Sequence, residues 1–379
     1  MWLFGRKSGR AEARPALVRS AGGGVLGDWP RGYEAQVRAA YLGNAVAQRS
    51  VRMVADACGS VTVLAADQGH VAERIVKPVL ETVAAQMLLH GNAYLLIGCG
   101  ADGVPEALYP LRPERVTVEA DAGGWPVAYR YQAGAVTTRY PVAGEGGAGG
   151  VVHLKALHPL DDHYGVGSLG AAAGPVAIHN AATQWNKALL DNAARPSGAL
   201  VYDPGEPGAV LSRDQYDRLK AEMEASFAGS TNAGRPMLLE GGLKWQAMSL
   251  SPADMDFVGL KAAAAREIAL AFGVPPMLLG LPGDNTYANY AEANRALWRL
   301  TVLPLVARLL DGVSDGLAGW WPGLALVVDL DAVPALSGDR AAMWGQVAAA
   351  DFLSRAEKRE LLGFAVEGEA GGSPAEAGA

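Results

Sequence analysis

AAAAREIALAFGVPPMLLGLPGDNTYANYAEANRALWRLTVLPLVARLL, Ala262 to Leu310, is the stretch whose reading decides the fold. Its first part is helix-forming and stops at Gly273-Val274-Pro275-Pro276, because proline has no backbone N–H and pushes the preceding residue out of the helical region. Upstream, Ser251 reads as a cap, Pro252 as a first-turn residue and Asp254 as an acid at the positive end. A long helix is therefore expected from Ser251 through Phe257 and Ala264 to Phe272. Gly280 to Asn285 reads as a loop. A second long helix is expected from Tyr287 to Gly312, with a kink at Pro304, because helical pattern continues on both sides of it.

Toward the N-terminus, Arg195 to Trp245 reads as a small unit. Gly198 to Tyr202 is a strand, and Ser212 with Gln215 forms a capping box for a helix running to about Phe227. Gly229 to Arg235 is a loop, Pro236 to Leu239 a strand, and Glu240 to Gly242 a turn. Before this unit, Ser168 to Asn192 is Ala-rich, with charges only at Lys187 and Asp191. It is expected to be a helix of about 25 residues, roughly 38 Å long. A helix apolar on nearly all sides must be covered on nearly all sides. Few local segments offer that cover, which points to copies of the helix from neighbouring subunits.

Further out, helices are expected at Val37 to Gly59 and Val71 to Leu89. The second has Pro78 as a kink and ends at His90-Gly91, where glycine supplies a left-handed cap. Strands follow at Asn92 to Gly98, Ala107 to Leu111, Arg115 to Glu119, Pro126 to Gln132, Val136 to Tyr140 and Val151 to Lys155. On the C-terminal side, Leu324 to Leu330 reads as a strand. Asp339 to Ala350 and Ser354 to Leu362 read as helices, the latter with a Ser354/Glu357 capping box. The ends read as a flexible N-terminal arm and a low-complexity C-terminal tail. The fold class is α+β.

The chain has 379 residues, 50% hydrophobic and 19% charged, as expected of two or three folded domains. Its net charge of −7 argues against a protein that binds DNA tightly through phosphate neutralisation. Cys58 and Cys99 stand outside any CxxC pair, so both are expected to be buried thiols in a reducing compartment. No apolar run reaches membrane-span length, and the start lacks a signal-peptide core. Synthesis and folding in the cytoplasm are expected.

Three constellations invite a chemical reading. Gly165-Val-Gly-Ser-Leu-Gly170 fits GxGxxG, yet no strand directly precedes it, so a tight turn into a packed helix is the better reading. His153, His158 and His163 with Asp161 and Asp162 suit a transition metal by type, but they span a strand and a loop and no single face gathers them. They read as loop residues that cap or hydrogen-bond. Asp254, Asp256, Glu267 and Glu292 read as helix charges. P-loop, HExxH and GxSxG patterns are absent from the sequence. No catalytic, cofactor or metal site is expected.

Several segments in order resemble the portal proteins of tailed phages, in the siphophage branch. They are HGNAYLLI (His90 to Ile97), YPLRPERV (Tyr109 to Val116), VHLK (Val152 to Lys155), YGVGS (Tyr164 to Ser168) and MLLEGGLKW (Met237 to Trp245). The strongest are REIA (Arg266 to Ala269), FGVPP (Phe272 to Pro276) and LLG (Leu278 to Gly280), followed by TYAN (Thr286 to Asn289) with Glu292 and TVLP (Thr301 to Pro304). The short C-terminal region resembles compact portals, including those of gene transfer agents.

The resemblance implies a portal fold: an arm at 1–27, an α/β wing at 28–165, a first stem helix at 166–194 and a small βαβ clip at 195–250. A second stem helix at 251–273, a tunnel-loop region at 274–290, a kinked helix and wing strand at 291–335, a short helical crown at 336–364 and a tail at 365–379 complete it. It implies a homo-oligomeric ring, usually of twelve subunits, at one capsid vertex of a virion or phage-like particle. The implied partners are the major capsid protein, the terminase large subunit, a head–tail adaptor and double-stranded DNA passing without sequence specificity. No cofactor and no membrane enter.

The tunnel-loop residues Gly283, Asp284, Asn285, Thr286, Tyr287 and Asn289 are then expected to approach DNA. The loop carries no cation, as sliding requires, since each cation–phosphate contact strengthens binding. Arg295 and Arg299 would form a retentive channel belt or pair with acids between subunits. Tyr202, Asp214, Arg218 and Arg235 would meet partners at the clip. The alternatives are another structural or scaffold-binding protein of a phage particle and an NAD-binding oxidoreductase built on the GxGxxG.

Overall fold

A computed structural model describes residues 32–65, 70–143, 149–191, 198–202, 212–227, 243–247, 257–281 and 287–362. The expected arm, the tail, the helix start at Ser251, the loop at Gly229 to Arg235, the strand at Pro236 to Leu239 and the turn after it lie outside these residues.

The chain opens with helix α1 (Tyr33–Val37), which runs into a π turn at Arg38–Leu42, and helix α2 (Ala45–Ser60). The single helix expected from Val37 is thus broken. The cause is Asn44, whose side-chain oxygen accepts from the backbone N–H groups of Val46 and Ala47, both at 3.0 Å. Asparagine competes with the helix interior and excels at the cap. Strand β1 (Val63–Ala65) follows, then helices α3 (His70–Val76) and α4 (Leu80–His90) joined by a 3-10 turn holding Pro78. The expected kink sits there. Gly91 ends α4 at φ +81°, the left-handed cap foreseen from His90-Gly91.

Strands β2 (Asn92–Cys99), β3 (Pro105–Leu111) and β7 (Val151–Lys155) form one antiparallel sheet in the order β3-β2-β7. Strands β4 (Val116–Ala120), β5 (Pro126–Ala133) and β6 (Val136–Pro141) form another. The larger core joins α2, α3, α4 and β2 to the helices described next, through residues such as Val54, Leu80, Leu95, Ile268 and Leu309. A smaller one around Tyr94, Leu111, Val116 and Tyr129 lies between the two sheets.

Helix α5 (Ser168–Asp191) matches the long apolar helix expected, although its cover does not. Helix α7 (Phe257–Ala271) lies along it, and α4, α1 and the π turn also contact it. Leu169, Ala172, Ala173, Val176 and Ala182 are buried there within one chain. What remains exposed is a stripe of Ala171, Ile178, Ala181, Trp185 and Ala188. Between α5 and α7, strand β8 (Gly198–Tyr202), helix α6 (Arg213–Phe227) and strand β9 (Leu243–Ala247) form the small unit. Ser212 and Gln215 make the expected capping box. Strand β9 was not foreseen; it pairs antiparallel with β8 from Gly198↔Ala247 to Tyr202↔Leu243.

Helix α7 ends where Gly273 turns the backbone at φ +66°. Helix α8 (Tyr287–Leu297) then leads through a π turn (Trp298–Val302) into helix α9 (Leu303–Leu317). The distortion expected at Pro304 is therefore displaced one turn earlier. The π turn leaves Pro304 in the first turn of α9, where its missing N–H costs nothing. Strand β10 (Leu326–Val328) is shorter than expected and pairs with β1, a partner the sequence did not reveal. Helices α10 (Ser337–Ala349) and α11 (Arg355–Leu361) close the described chain, the latter with the Ser354/Glu357 box.

Candidate channel and subunit-contact surfaces

The long helix α5 is tied to the rest of the chain at two buried asparagines. Asn92, fully buried, opens β2 directly after the Gly91 cap. Its oxygen accepts from Gly165 N at 2.7 Å, which fixes the orientation of the amide. His153 Nε2 then donates to the same oxygen at 3.0 Å. The amide nitrogen donates to Gly165 O at 3.0 Å and to His90 Nδ1 at 3.0 Å. Ala156 N closes the joint on Gly91 O at 2.8 Å. HGN, VHLK and YGVGS thus meet in space, and one side chain joins the first two to the turn that launches α5.

The glycines of GxGxxG serve that joint. A Cβ on Gly165 would come within 2.2 Å of Gly91 O, and one on Gly167 within 2.7 Å of Leu89 O. The turn into a closely packed helix is the reading the geometry supports. Burial drives the pKa of His153 down to about 3, helped by the positive charges of Lys155, His90 and His163. The ring is neutral and stacks on Tyr94 with centroids 4.2 Å apart. His158 accepts from Leu160 N at 3.1 Å, and Asp161 accepts from His163 N and Tyr164 N at 2.8 and 2.9 Å. Those backbone bonds lower the Asp161 pKa. These residues cap and brace a loop, and the histidines are not gathered.

The second tie is Asn44. With its oxygen committed to capping α2, its nitrogen donates to Asn180 Oδ1 at 2.8 Å and to His179 Nδ1 at 3.0 Å. Asn180 Nδ2 donates to Ala39 O at 2.8 Å. Replacing Asn44 by alanine removes a cap and orphans part of this network. A loss of about 1–2 kcal/mol is expected from the cap alone, read as a lower urea midpoint. Neither Asn44 nor Asn92 was singled out from sequence. The available signal was an asparagine embedded in an otherwise apolar segment.

Of the tunnel-loop residues, Gly283, Asp284, Asn285 and Thr286 lie outside the described chain. Tyr287 and Asn289 stand in the first turn of α8, with Asn289 exposed. Arg295 and Arg299, read as a channel belt or as partners of acids between subunits, are paired within their own chain. Arg299 bonds Asp339 at 2.6 Å; Arg295 bonds Glu292 at 2.6 Å and lies 3.4 Å from Asp339. Asp339, on α10, had been read only as the start of a helix. It couples the C-terminal helices to α8 and the π turn. At the clip, Asp214 and Arg218 are exposed on α6, Tyr202 is half-buried at the end of β8, and Arg235 lies outside the described residues. Among the described residues no cluster of three metal-ligating side chains occurs, and no helix is long and apolar enough to cross a membrane.

Comparison with known proteins bears on these surfaces. The sequence profile of the family described as phage portal protein matches residues 45–363. A protein of Rickettsia bellii described as uncharacterized is 39% identical over 346 residues, 86% of this chain and 88% of that one. A chain in the neck of an empty gene transfer agent (GTA) particle, computed with C6 symmetry, is 47% identical. It covers 89% of this chain and 95% of its own, with a TM-score of 0.68. A chain in the neck of the native GTA particle, computed with C12 symmetry, has the same identity and coverage and a TM-score of 0.66. The matched residues run from α2 through the small β8–α6–β9 unit and the Pro-Pro stop to α11, and the chain belongs to the phage portal protein family.

Proposed function

We infer that the chain is a structural subunit of a ring at one vertex of a phage-like capsid, of the gene transfer agent kind. Its axial channel passes double-stranded DNA during packaging and ejection. The observation that carries this reading is the 47% identity over 89% of the chain with a chain in the neck of the native GTA particle, a neck computed with C12 symmetry. In this reading α5 and α7 form the stem, the β8–α6–β9 unit is the clip that meets terminase and the head–tail adaptor, and the wing faces the capsid protein. The exposed stripe on α5, with Ile178 at 38% and Trp185 at 41% exposure, is the surface a neighbouring stem covers. The clip residues Tyr202, Asp214, Arg218 and Arg235 meet the partners, and the loop from Gly283 to Asn289 meets DNA.

Particles purified from cells producing the full chain with its capsid partner should carry rings of about a dozen copies by negative-stain microscopy. A subunit that stays monomeric in such particles would sink the reading. Deleting Gly283 to Tyr287 should leave the rings intact while severalfold less DNA is packaged or retained. Normal DNA content in the deletion variant would remove the loop from the channel.

A further inference from the structure

Helix α1 has five residues, and none of them is buried. A helix that short does not stand alone in water. One side of it meets α5, where Gln36 lines a cavity of about 230 Å³ with Ala173 and Ala177. The other side, with Tyr33, Glu34, Val37 and Arg38, faces a larger cavity of about 680 Å³. Leu42 of the π turn, Gln86 of α4 and the 3-10 turn Pro113–Arg115 complete its walls.

Three groups on these walls are incomplete. Leu42 is 65% exposed. Gln86 Nε2 donates to Leu111 O at 2.9 Å, yet Gln86 Oε1 is buried with no hydrogen-bond partner among the described residues. A buried acceptor of this kind calls for a donor. Among the charges, Glu34 pairs with Arg38 at 2.6 Å and Glu114 lies 3.7 Å from Arg112. The odd charge is Arg115, which is exposed and makes no ion pair among the described residues. The cavity therefore lacks an apolar cover, a hydrogen-bond donor and one negative charge.

We propose that residues 24–31 of the same chain, GVLGDWPR, occupy this cavity, with Trp29 covering Leu42 and Val37 and Asp28 meeting Arg115. Chain connectivity selects the occupant. These residues run directly into Gly32 and Tyr33, and Tyr33 already forms part of the wall. Trp29 stands three residues before Gly32, and three extended residues reach about 10 Å, enough to enter the cavity beside it. A tethered segment meets its site at an effective concentration on the order of millimolar, whereas a separate partner gives up translational freedom to bind. The composition supplies what the walls lack. Between Arg19 and Arg31 the only charge is Asp28. Val25, Leu26 and Trp29 are the large apolar residues there, and every residue of 24–31 except Pro30 has a backbone N–H to offer Gln86 Oε1. The contact lies within one chain and does not depend on ring assembly. It clamps α1 to α4, and through Ala39 O, which accepts from Asn180, it steadies the second tie to α5.

Hydrogen–deuterium exchange of the full chain tests the docking, read on peptides covering residues 33–42. Deleting residues 1–19 should leave exchange there unchanged, whereas deleting residues 1–31 should speed it by roughly threefold or more. Trp29→Ser in the full chain should have the same effect, and Trp29→Phe should restore most of the protection. A synthetic peptide of residues 20–31, added at about millimolar concentration to the chain lacking 1–31, should slow the exchange again. Exchange that neither the 1–31 deletion nor Trp29→Ser alters overturns the docking. Protection that fades when the full chain is diluted about tenfold overturns it too, because a second copy would then be the occupant. Asp28→Asn and Arg115→Gln should each speed exchange, and the pair together should do little more than either alone. Fully additive effects would overturn the Asp28–Arg115 contact.

Discussion

Asn92→Ala is expected to cost about 3–6 kcal/mol of stability, since it orphans three or more buried polar groups at about 1–3 kcal/mol each. Those groups are Gly165 N, Gly165 O and His153 Nε2, with His90 Nδ1 losing its donor as well. The pocket is closed by backbone on both sides, as the 2.2 Å approach of a Gly165 Cβ to Gly91 O indicates, so relaxation offers little relief. Urea denaturation followed by far-ultraviolet circular dichroism reads the loss. Asn92→Asp sharpens the interpretation. It keeps the acceptor for Gly165 N and His153 and loses both donations, while burying a carboxylate beside an imidazole. It should raise the His153 pKa relative to the parent, visible in the histidine NMR titration. A loss below about 1 kcal/mol for Asn92→Ala would mean that Asn92 is an ordinary buried amide rather than the joint between the β3-β2-β7 sheet and α5. The functional consequence follows from geometry. The joint lies at the root of a helix roughly 36 Å long, so a small change of angle there displaces the far end of α5 by several ångströms.

Much of this architecture was legible because its signals are local. The capping boxes at Ser212 and Ser354, the left-handed Gly91, the stop at Gly273 and the strands Val151–Lys155 and Gly198–Tyr202 are written in neighbouring residues. What escaped depends on distant partners. Strand β1 has three residues and exists because β10 pairs with it from the far end of the chain. Strand β9 follows two glycines and is defined by β8. The break before α2 follows from Asn44, whose alternative bonds reach α5. The π turn before Pro304 resolves a local conflict by shifting it one turn, which periodicity cannot register. For the functional surfaces the asymmetry is greater. The cation-free loop could be read directly from its residues. That Arg295 and Arg299 share Asp339 could not, because a carboxylate on a helix looks the same whether it faces solvent or an arginine from another element.

Acid should loosen the joint at Asn92 before it protonates most carboxylates, and His153 sets the size of the effect. Its pKa falls from the ordinary 6.5 to about 3 in the folded chain. As pH drops, the unfolded chain takes up the proton first. Stability is therefore complete above about pH 6.5 and is lost progressively down to about pH 3. The full span corresponds to about 5 kcal/mol, and roughly half of it should be gone at about pH 4.5. His90 and His179, whose pKa values burial also lowers, add to the same trend. Asp161 and Glu357, lowered by hydrogen bonds, contribute only at more acidic pH. His153→Gln isolates the effect. The amide can still donate to Asn92, but it does not titrate and gives up the stacking on Tyr94. At neutral pH the variant should be less stable by about 1 kcal/mol. Between about pH 6.5 and about pH 4.5 its stability should fall by about 2–3 kcal/mol less than the parent's, so the two curves converge or cross. Parallel curves would show that the His153 pKa is not lowered in the folded chain, and the buried neutral ring would then have to be given up. Because burial at the closed joint is what lowers the His153 pKa, and Asn92 helps to close that joint, the acid response and the Asn92→Ala defect should be non-additive. In Asn92→Ala the His153 contribution to the acid slope should shrink, since water entering the space left by the amide relieves the desolvation that lowers the His153 pKa.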